Sequence, residues 1–227
     1  MCIFAKNITI MANNVWITAD LHINHKNILY HQKERIKAMG LNGAEDISGH
    51  DEYITNMFLS QTKRGDRVYL LGDVILDNQQ NSKKFLDKIK SNGCSLYLIE
   101  GNHDKSIHKM YNMFESIDLM KKVVFKKSEF DFLDEDFSVI MCHYPMKSWA
   151  DKCRGSMNLY GHIHANAPWV DNETNDLCLN VGLDNPLCNY KLFSLEQIYS
   201  YYKNKLNGIS PLKYSDEICK IDKKYIR

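Results

Sequence analysis

Aspartate, asparagine or histidine follows an apolar run at five places along the chain. The seven residues at these places are Asp20, His22, Asp73, Asn102, His143, His162 and His164. This set combines carboxylate, amide and imidazole donors and contains no thiolate, which favours divalent first-row metals over calcium or a structural zinc. Seven protein ligands exceed the needs of one catalytic ion, so the set predicts two neighbouring ions that share a carboxylate.

The shared carboxylate is expected to be Asp73, because its strand should lie between the strands that end at Asp20 and Asn102. Two close cations deprotonate a shared water and hold both the attacking and the leaving oxygen of an in-line displacement at phosphorus. The residues therefore predict phosphoester hydrolysis. The strand end at Asn102 also supplies His103, a titratable imidazole, and Asp104, a carboxylate expected to orient that imidazole.

The elements that must position these residues alternate between strand and helix in the first half of the chain. Strands are predicted at residues 15–19, 67–71 and 95–99, and helices at residues 27–38, 51–61 and 78–89. Residues 40–49 are predicted to form a loop. This order is typical of parallel strands with helical crossovers, a class of α/β sheet in which sites lie beyond the carboxyl ends of the strands.

The second half of the chain predicts a second, mixed sheet packed against the first. A short helix at 108–114 precedes strands at 121–125, 137–142, 157–160, 177–181 and 191–193. Lysines flank the strand at 121–125, which favours an exposed edge strand over a phosphate-binding patch. Residues 194–197 resemble a capping box that begins a last helix, which ends near Tyr202.

The order of the motifs resembles the calcineurin-like metallophosphoesterases. The blocks are Asp20-x-His22, Gly72-Asp73, Gly101-Asn102-His103-Asp104, His143 and Gly161-His162-x-His164, and together they span residues 15–182. Each block alone is weakly specific, whereas five in this order are not expected by chance. The resemblance implies a four-layer α/β/β/α sandwich of two mixed sheets with helices outside.

The same resemblance implies a role for each motif residue. Asp20, His22, Asp73 and His164 would hold one metal, and Asp73, Asn102, His143 and His162 the other. His103 would be the general acid that protonates the leaving oxygen, with Asp104 orienting it, after a water shared between the metals attacks phosphorus. Two divalent ions are the implied cofactors; manganese is favoured, and iron, zinc or nickel remain open.

Two further residues are candidates for contact with substrate. His25, in the arrangement Asp20-x-His22-x-x-His25, resembles small bacterial and phage members of the superfamily, in which it would face the substrate; a solvent-facing histidine at a helix start is the alternative. Arg154 follows the His143 strand and offers a guanidinium for a phosphate. His31, His50 and His108 are interpreted as surface residues.

Composition sets the remaining bounds. The 29 Lys and Arg residues nearly balance the 28 Asp and Glu residues, so no global field attracts long nucleic acid or a membrane surface. Seven cysteines without a C-x-x-C pair argue against a disulfide framework and predict reduced thiols in a cytoplasmic protein. No apolar run approaches the roughly 18–20 residues that span a bilayer. One domain is predicted at residues 15–205, between an extension at 1–14 and a tail at 206–227.

Three functions follow from these features. The leading one is a metal-dependent phosphodiesterase or phosphatase acting on a small phosphoester, with diesters favoured because His103 can serve a poor leaving group. The second is a nuclease acting on nucleic acid ends, which the near-neutral charge disfavours. The third is a non-catalytic binding scaffold of the same fold. The sequence leaves the physiological substrate and the oligomeric state open.

Overall fold

The structure, a computed structural model, describes residues 13–76, 79–165 and 177–207. In chain order the strands are β1 (Val15–Thr18), β2 (Arg67–Leu70), β3 (Ser95–Ile99), β4 (Ser116–Asp118), β5 (Met120–Phe125), β6 (Phe137–Cys142), β7 (Met157–Tyr160), β8 (Cys178–Asn180) and β9 (Phe193–Ser194). The α-helices are α1 (Ile28–His31), α2 (Glu34–Met39), α3 (Ile47–Gln61), α4 (Gln79–Lys90) and α5 (Leu195–Leu206). Short 3-10 helices cover Asp104–Met113, Lys152–Arg154 and Pro186–Cys188.

The strands form two mixed sheets, as the sequence predicts. The first has the order β4-β3-β2-β1-β9, in which β1 to β4 are parallel and β9 is antiparallel to β1. The second has the order β5-β6-β7-β8, in which β5 is antiparallel to β6 and the other pairs are parallel. The predicted class, an α/β fold with two mixed sheets and helices, is therefore confirmed.

Two apolar cores lie on the two faces of the first sheet. Alternation along β1 sends Val15 and Ile17 into a core shared with the inward side chains of β6, β7 and β8. The opposite face, with Val68 and Leu70 of β2, packs against α3 and α4 through side chains such as Phe58. The two sheets thus face each other, and helices cover the outer side of the first sheet.

Several predicted boundaries are wrong, for identifiable reasons. The helix predicted at 27–38 is divided, because Gln32 leaves the helical region with φ −118° and ψ 68°. The loop predicted at 40–49 ends earlier, because Asp46 caps α3 by accepting a hydrogen bond from the amide of Gly49. β4 was missed because its three residues are too short to show a period.

The lysine-flanked strand β5 is an edge strand, as predicted. Residues 1–12 and 208–227, most of the predicted extension and tail, lie outside the described residues. Within the described ranges, no helix combines the length and apolar character needed to cross a membrane.

The N-terminal cap of α5 provides a test of the predicted capping box. Ser194 accepts from the amide of Gln197, and the Gln197 side chain accepts from the amide of Ser194, so the predicted capping box is formed. We expect Ser194→Ala to lower the free energy of unfolding by about 1 kcal/mol, the usual cost of losing an N-cap side chain, in urea titrations. Ser200→Ala, on an exposed turn of the same helix, is the control and should leave stability unchanged or slightly higher. Equal effects of the two substitutions would contradict the capping role.

Candidate metal centre

Parallel pairing of β1 and β2 continues beyond the strands and places their terminal residues side by side. The amide of Asp20 donates to the carbonyl of Gly72 at 3.0 Å, and the amide of His22 donates to the carbonyl of Asp73 at 2.9 Å. The two aspartates therefore lie on adjacent segments at one edge of the first sheet, as expected for carboxyl ends of parallel strands.

The two sheets are joined at the same edge. The amide of Ala19 donates to the carbonyl of Val181, and the amide of Leu183 donates to the carbonyl of Ala19, so the chain after β1 pairs with the chain after β8. This contact brings the strand ends of the second sheet, which carry the remaining histidines, to the ends of the first.

All seven predicted ligands meet at this edge, in two groups. Asp20, His22 and His164 form the first cluster, and Asp73, His143 and His162 form the second; within each, one potential ligand atom per residue lies within 4.8 Å of the others. Asn102 belongs with the second cluster, because its Oδ1 lies 3.2 Å from Nε2 of His143.

Asp73 lies between the two clusters. Its Oδ2 atom is 3.8 Å from Nε2 of His22, in the first cluster, and 3.5 Å from Nε2 of His143, in the second. A carboxylate in this position can contribute to both clusters, as expected of a bridging ligand.

Close main-chain contacts around the clusters require glycine. Gly72 has φ +86°, and a Cβ there would lie 2.4 Å from Nδ1 of His143. At Gly161 a Cβ would lie 2.5 Å from Cβ of Ala19 and 2.8 Å from Oδ2 of Asp20. Contacts this short are prohibitive, so these glycines allow the ligand-bearing segments to approach each other.

Strained backbone is concentrated at the ligands. Five of them have left-handed φ values between 50° and 74°: Asp20, His22, Asp73, His162 and His164. Such conformations are uncommon outside glycine and cost on the order of 1–3 kcal/mol each. This concentration of strain is typical of a functional site.

Contacts made by Nδ1 leave Nε2 of three histidines facing the clusters. Nδ1 of His143 lies 2.8 Å from the carbonyl of Leu71, so it carries the proton and donates. Nδ1 of His164 lies 2.6 Å from Oδ2 of Asp184. Nδ1 of His22 lies 3.2 Å from Nδ1 of His25. Such outer partners fix the tautomer of a metal-binding imidazole.

Burial shapes the charge state of the clusters. It raises the pKa of Asp20 to about 6 against the opposing effect of His164 and His143, and it lowers the pKa of His22 to about 2, with His164 adding to the shift. Burial alone would raise the pKa of Asp73, but the hydrogen bond and charge of His143 and the amide of His103 lower it to about 2. His22 is therefore a neutral imidazole, the form that binds metals.

The donor set fits divalent cations. Nε2 of His22 is buried and has no hydrogen-bond partner among the described residues, although it points towards Asp73. The Asp20 carboxylate is fully buried. Among the described residues, it accepts hydrogen bonds from the amide of His162. A cation between these groups would satisfy both at once.

His103 lies beside the clusters at the solvent-facing side. Its amide donates to Oδ1 of Asp73, its Nε2 lies 4.0 Å from Oδ2 of Asp73, and its side chain is 41% exposed. The expectation that Asp104 orients this imidazole is wrong. The Asp104 carboxylate instead accepts from the amides of Asp73, Val74 and Gly101 at 2.8 Å each, and thereby ties the two strand ends together.

The two candidate substrate contacts differ in position. His25 is half-buried against His22, with its ring centroid 6.2 Å from that of His103. Arg154 is 84% exposed and pairs with Asp151, and no contact given for the described residues joins it to either cluster. Their roles towards substrate stay predictions.

Several buried polar residues packed behind the first cluster were not among those predicted from the sequence. His50 was interpreted as a surface residue, but it is fully buried, with Nε2 2.9 Å from Nη1 of Arg35 and Nδ1 2.8 Å from Asp51. Arg35 is also fully buried and pairs with Asp184. Asp184 follows β8 as the other aspartates follow their strands, so the strand-end pattern could have identified it. His31 is exposed, as predicted, and the side chain of His108 lies outside the described residues.

The fold and the two clusters define an α/β protein with two adjacent groups of potential metal ligands at its strand ends. Residues 14–216 match the sequence pattern of the calcineurin-like phosphoesterases, and the chain belongs to that family.

Two curated phage proteins are similar along most of the chain. The Gene 66 protein of Mycobacterium phage L5 is 24% identical over 173 residues, which cover 67% of this chain and 78% of the relative. The Gene 66 protein of Mycobacterium phage D29 is 25% identical over 194 residues, which cover 76% and 88%. Among solved structures, the protein of unknown function AQ665 from Aquifex aeolicus superposes with a TM-score of 0.63 at 20% identity, covering 83% of this chain and 98% of that one. This last likeness shows the fold alone.

Removing the charge of Asp20 should stabilise the metal-free protein at high pH and weaken metal binding. Because the fold raises the pKa of this carboxyl from 3.8 to about 6, the group's contribution to stability is present below pH 4 and is lost as the pH rises through 6. A shift of this size corresponds to about 3 kcal/mol. Asparagine avoids that loss, tolerates the left-handed backbone and still accepts from the amide of His162. We therefore expect Asp20→Asn to be more stable than the wild type at pH 8, but not at pH 4, after treatment with a chelator.

Urea titrations at both pH values, with and without Mn²⁺, would measure this effect. Manganese should stabilise the wild type more than the variant at pH 8, because the second cluster keeps all its ligands in the variant. Asp87→Asn, a substitution of an exposed carboxylate on α4, is the matched control and should change neither curve. An Asp20→Asn protein that is less stable than the chelated wild type at pH 8 would contradict the prediction.

Proposed function

We propose that the protein is a binuclear metal-dependent phosphohydrolase that cleaves a small phosphodiester, with phosphomonoesters as the alternative substrate class. The observation that carries the proposal is the position of Asp73, between two clusters of carboxylate and imidazole donors and 4.0 Å from the exposed imidazole of His103. A divalent metal ion follows from the family and the clusters, whereas the choice of manganese is part of the proposal.

The residues that would hold the ions are those of the two clusters. Asp20, His22 and His164 would hold one and His143, His162 and Asn102 the other, with Asp73 contributing to both. When bound, two divalent ions would lower the pKa of a water and withdraw electron density from the phosphoryl group. The buried first cluster and the more exposed second cluster imply that the phosphoryl group approaches from the side of Asn102 and His162, both of which are exposed.

His103 is assigned to the leaving group. The oxygen of one water would form a bond to phosphorus and release a proton to solvent as the bond to the ester oxygen breaks, and Nε2 of His103 would give its proton to that departing oxygen. The imidazole is then reprotonated from solvent, which its 41% exposure allows. The amide hydrogen bond from His103 to Asp73 keeps the imidazole beside the reacting group.

Metal-dependent hydrolysis of bis-para-nitrophenyl phosphate tests the proposal directly. Chelated protein should be inactive and should regain activity with Mn²⁺. Asp73→Asn should lower the restored rate on the order of a hundredfold or more, because it weakens the binding of both ions at once. Asp87→Asn is the control and should match the wild type. Equal rates for chelated and Mn²⁺-loaded wild-type protein would contradict the proposal, and inactivity towards every phosphoester would favour a binding scaffold.

Loss of His103 should depend on the leaving group. General acid catalysis contributes on the order of a hundredfold or more, and it matters most when the departing oxygen is strongly basic. We expect His103→Ala to slow hydrolysis of diphenyl phosphate at least tenfold more than that of bis-para-nitrophenyl phosphate, because phenoxide is the more basic leaving group. His31→Ala, which removes an exposed histidine of α1, is the control. A loss of the same size on both esters would contradict the acid role.

A further inference from the structure

A fully buried arginine lies beneath the first cluster. Arg35 projects from α2, and its Nε and Nη2 donate to the two carboxylate oxygens of Asp184 at 2.7 Å each. Nη2 also donates to the carbonyl of Asp20 at 2.7 Å, and Nη1 donates to the carbonyl of Leu21 at 3.1 Å. One planar guanidinium thus contacts the ligand-bearing segment after β1 and a carboxylate after β8.

The carboxylate held by Arg35 contacts a predicted metal ligand. Oδ2 of Asp184 lies 2.6 Å from Nδ1 of His164. An ionised carboxylate accepts hydrogen bonds only, so Nδ1 of His164 carries the proton and Nε2 keeps its lone pair for a cation. Arg35 therefore reaches His164 through one intermediate residue.

The same guanidinium also holds the segment after β1 through α3. A guanidinium has no acceptor, so Nε2 of His50 accepts from Nη1 of Arg35 and the proton lies on Nδ1, which donates to Oδ1 of Asp51. Oδ2 of Asp51 accepts from the amide of Asn24. This network binds residues 20–24 at three points, where Asp20, His22 and Asn24 all have left-handed φ values.

Stability alone is a weak reason for such a network. A buried ion pair loses the hydration of both charges, and apolar side chains of similar volume often stabilise a protein as well or better. The contacts of the network nevertheless lead to residues of the first cluster, Asp20 and His164. In the second cluster, Nδ1 of His143 donates to the carbonyl of Leu71 and the Asp73 carboxylate accepts from the amide of His103, so these contacts do not include Arg35.

We propose that Arg35 is a positioning residue for the metal ion of the first cluster, acting on His164 through Asp184 and on Asp20 through its main-chain carbonyl. This inference rests on the proposed function only in that the two clusters bind cations. Its distinguishing consequence is selectivity: loss of Arg35 weakens one ion and leaves the other unchanged.

Two double variants test this proposal without leaving a buried charge unpaired. Arg35→Met with Asp184→Asn removes both charges and keeps an acceptor for Nδ1 of His164. Arg35→Met with Asp184→Leu removes the acceptor as well. We expect the first double variant to bind the first-cluster ion roughly 10–100-fold more weakly than the wild type, and the second double variant to bind it more weakly still.

Calorimetric titration of Mn²⁺ into chelated protein counts the ions, and electron paramagnetic resonance reports whether two bound ions are coupled. The wild type should bind two coupled ions per chain. Each double variant should bind one ion with unchanged affinity and the first-cluster ion more weakly, so that the coupled signal appears only at higher Mn²⁺ concentration. Asp66→Asn is the control for general destabilisation. Asp66 is a buried carboxylate before β2, at the end remote from the clusters, where it accepts from the amide of Asn14 and Nε1 of Trp16. The Asp66→Asn substitution should lower Tm without changing the affinity for either Mn²⁺ ion.

The outcomes separate the two proposals. Wild-type protein that binds two ions, with double variants that bind both as tightly, overturns the role of Arg35 and leaves the proposed function standing. Equal weakening of both ions in the double variants also overturns it, because that result indicates a general structural role. Wild-type protein that binds no Mn²⁺ overturns both proposals.

Discussion

The dominant constraint on this fold is the concentration of buried carboxylates at one edge of the paired sheets. Asp20, Asp73, Asp104 and Asp184 are all 5% exposed or less, and Arg35 is the buried permanent cation among the described residues. Burying an ionised carboxylate is costly unless hydrogen bonds or a cation compensate for the lost hydration. Asp104 is compensated by three amides, and Asp184 by Arg35 and His164. Asp20 is compensated least, which explains why its pKa is raised to about 6.

The strained backbone and the close glycine contacts follow from the same constraint. Carboxylates that must face one point from adjacent strands require the chain to turn sharply after each strand, and left-handed residues supply those turns. The hydrogen bonds that continue past β1 and β2, and the pairing of Ala19 with Gly182, hold these turns in place. The left-handed backbone at these residues therefore persists because the main-chain hydrogen bonds on either side fix the segments in this conformation.

The sequence predicts the strand ends well because two simple rules act there. Apolar runs of four or five residues identify buried strands, and parallel strands bring their carboxyl ends together, so Asp20, Asp73 and Asn102 could be placed at one edge. Arg35 could not be found in this way, because its partner lies 149 positions away and a helical pattern treats an arginine as exposed. Adjacency along the chain does not predict the contacts of Asp104, because its carboxylate turns back and accepts from the main-chain amide of Asp73.

The two clusters differ in burial, and this difference suits them to different roles in the proposed reaction. Asp20 and His22 are buried, the main-chain carbonyl of Asp20 accepts from Arg35 of α2, and His164 contacts Asp184 after β8, so the first cluster has a fixed shape. His162 and Asn102 are exposed, and the ring of Tyr144 lies 4.7 Å from that of His162. On the proposed reaction, substrate therefore meets the second cluster first. In that proposed reaction, groups beyond the phosphorus would contact the segment after β6, so discrimination among esters would depend on that segment, while the buried network would maintain the geometry of the first cluster.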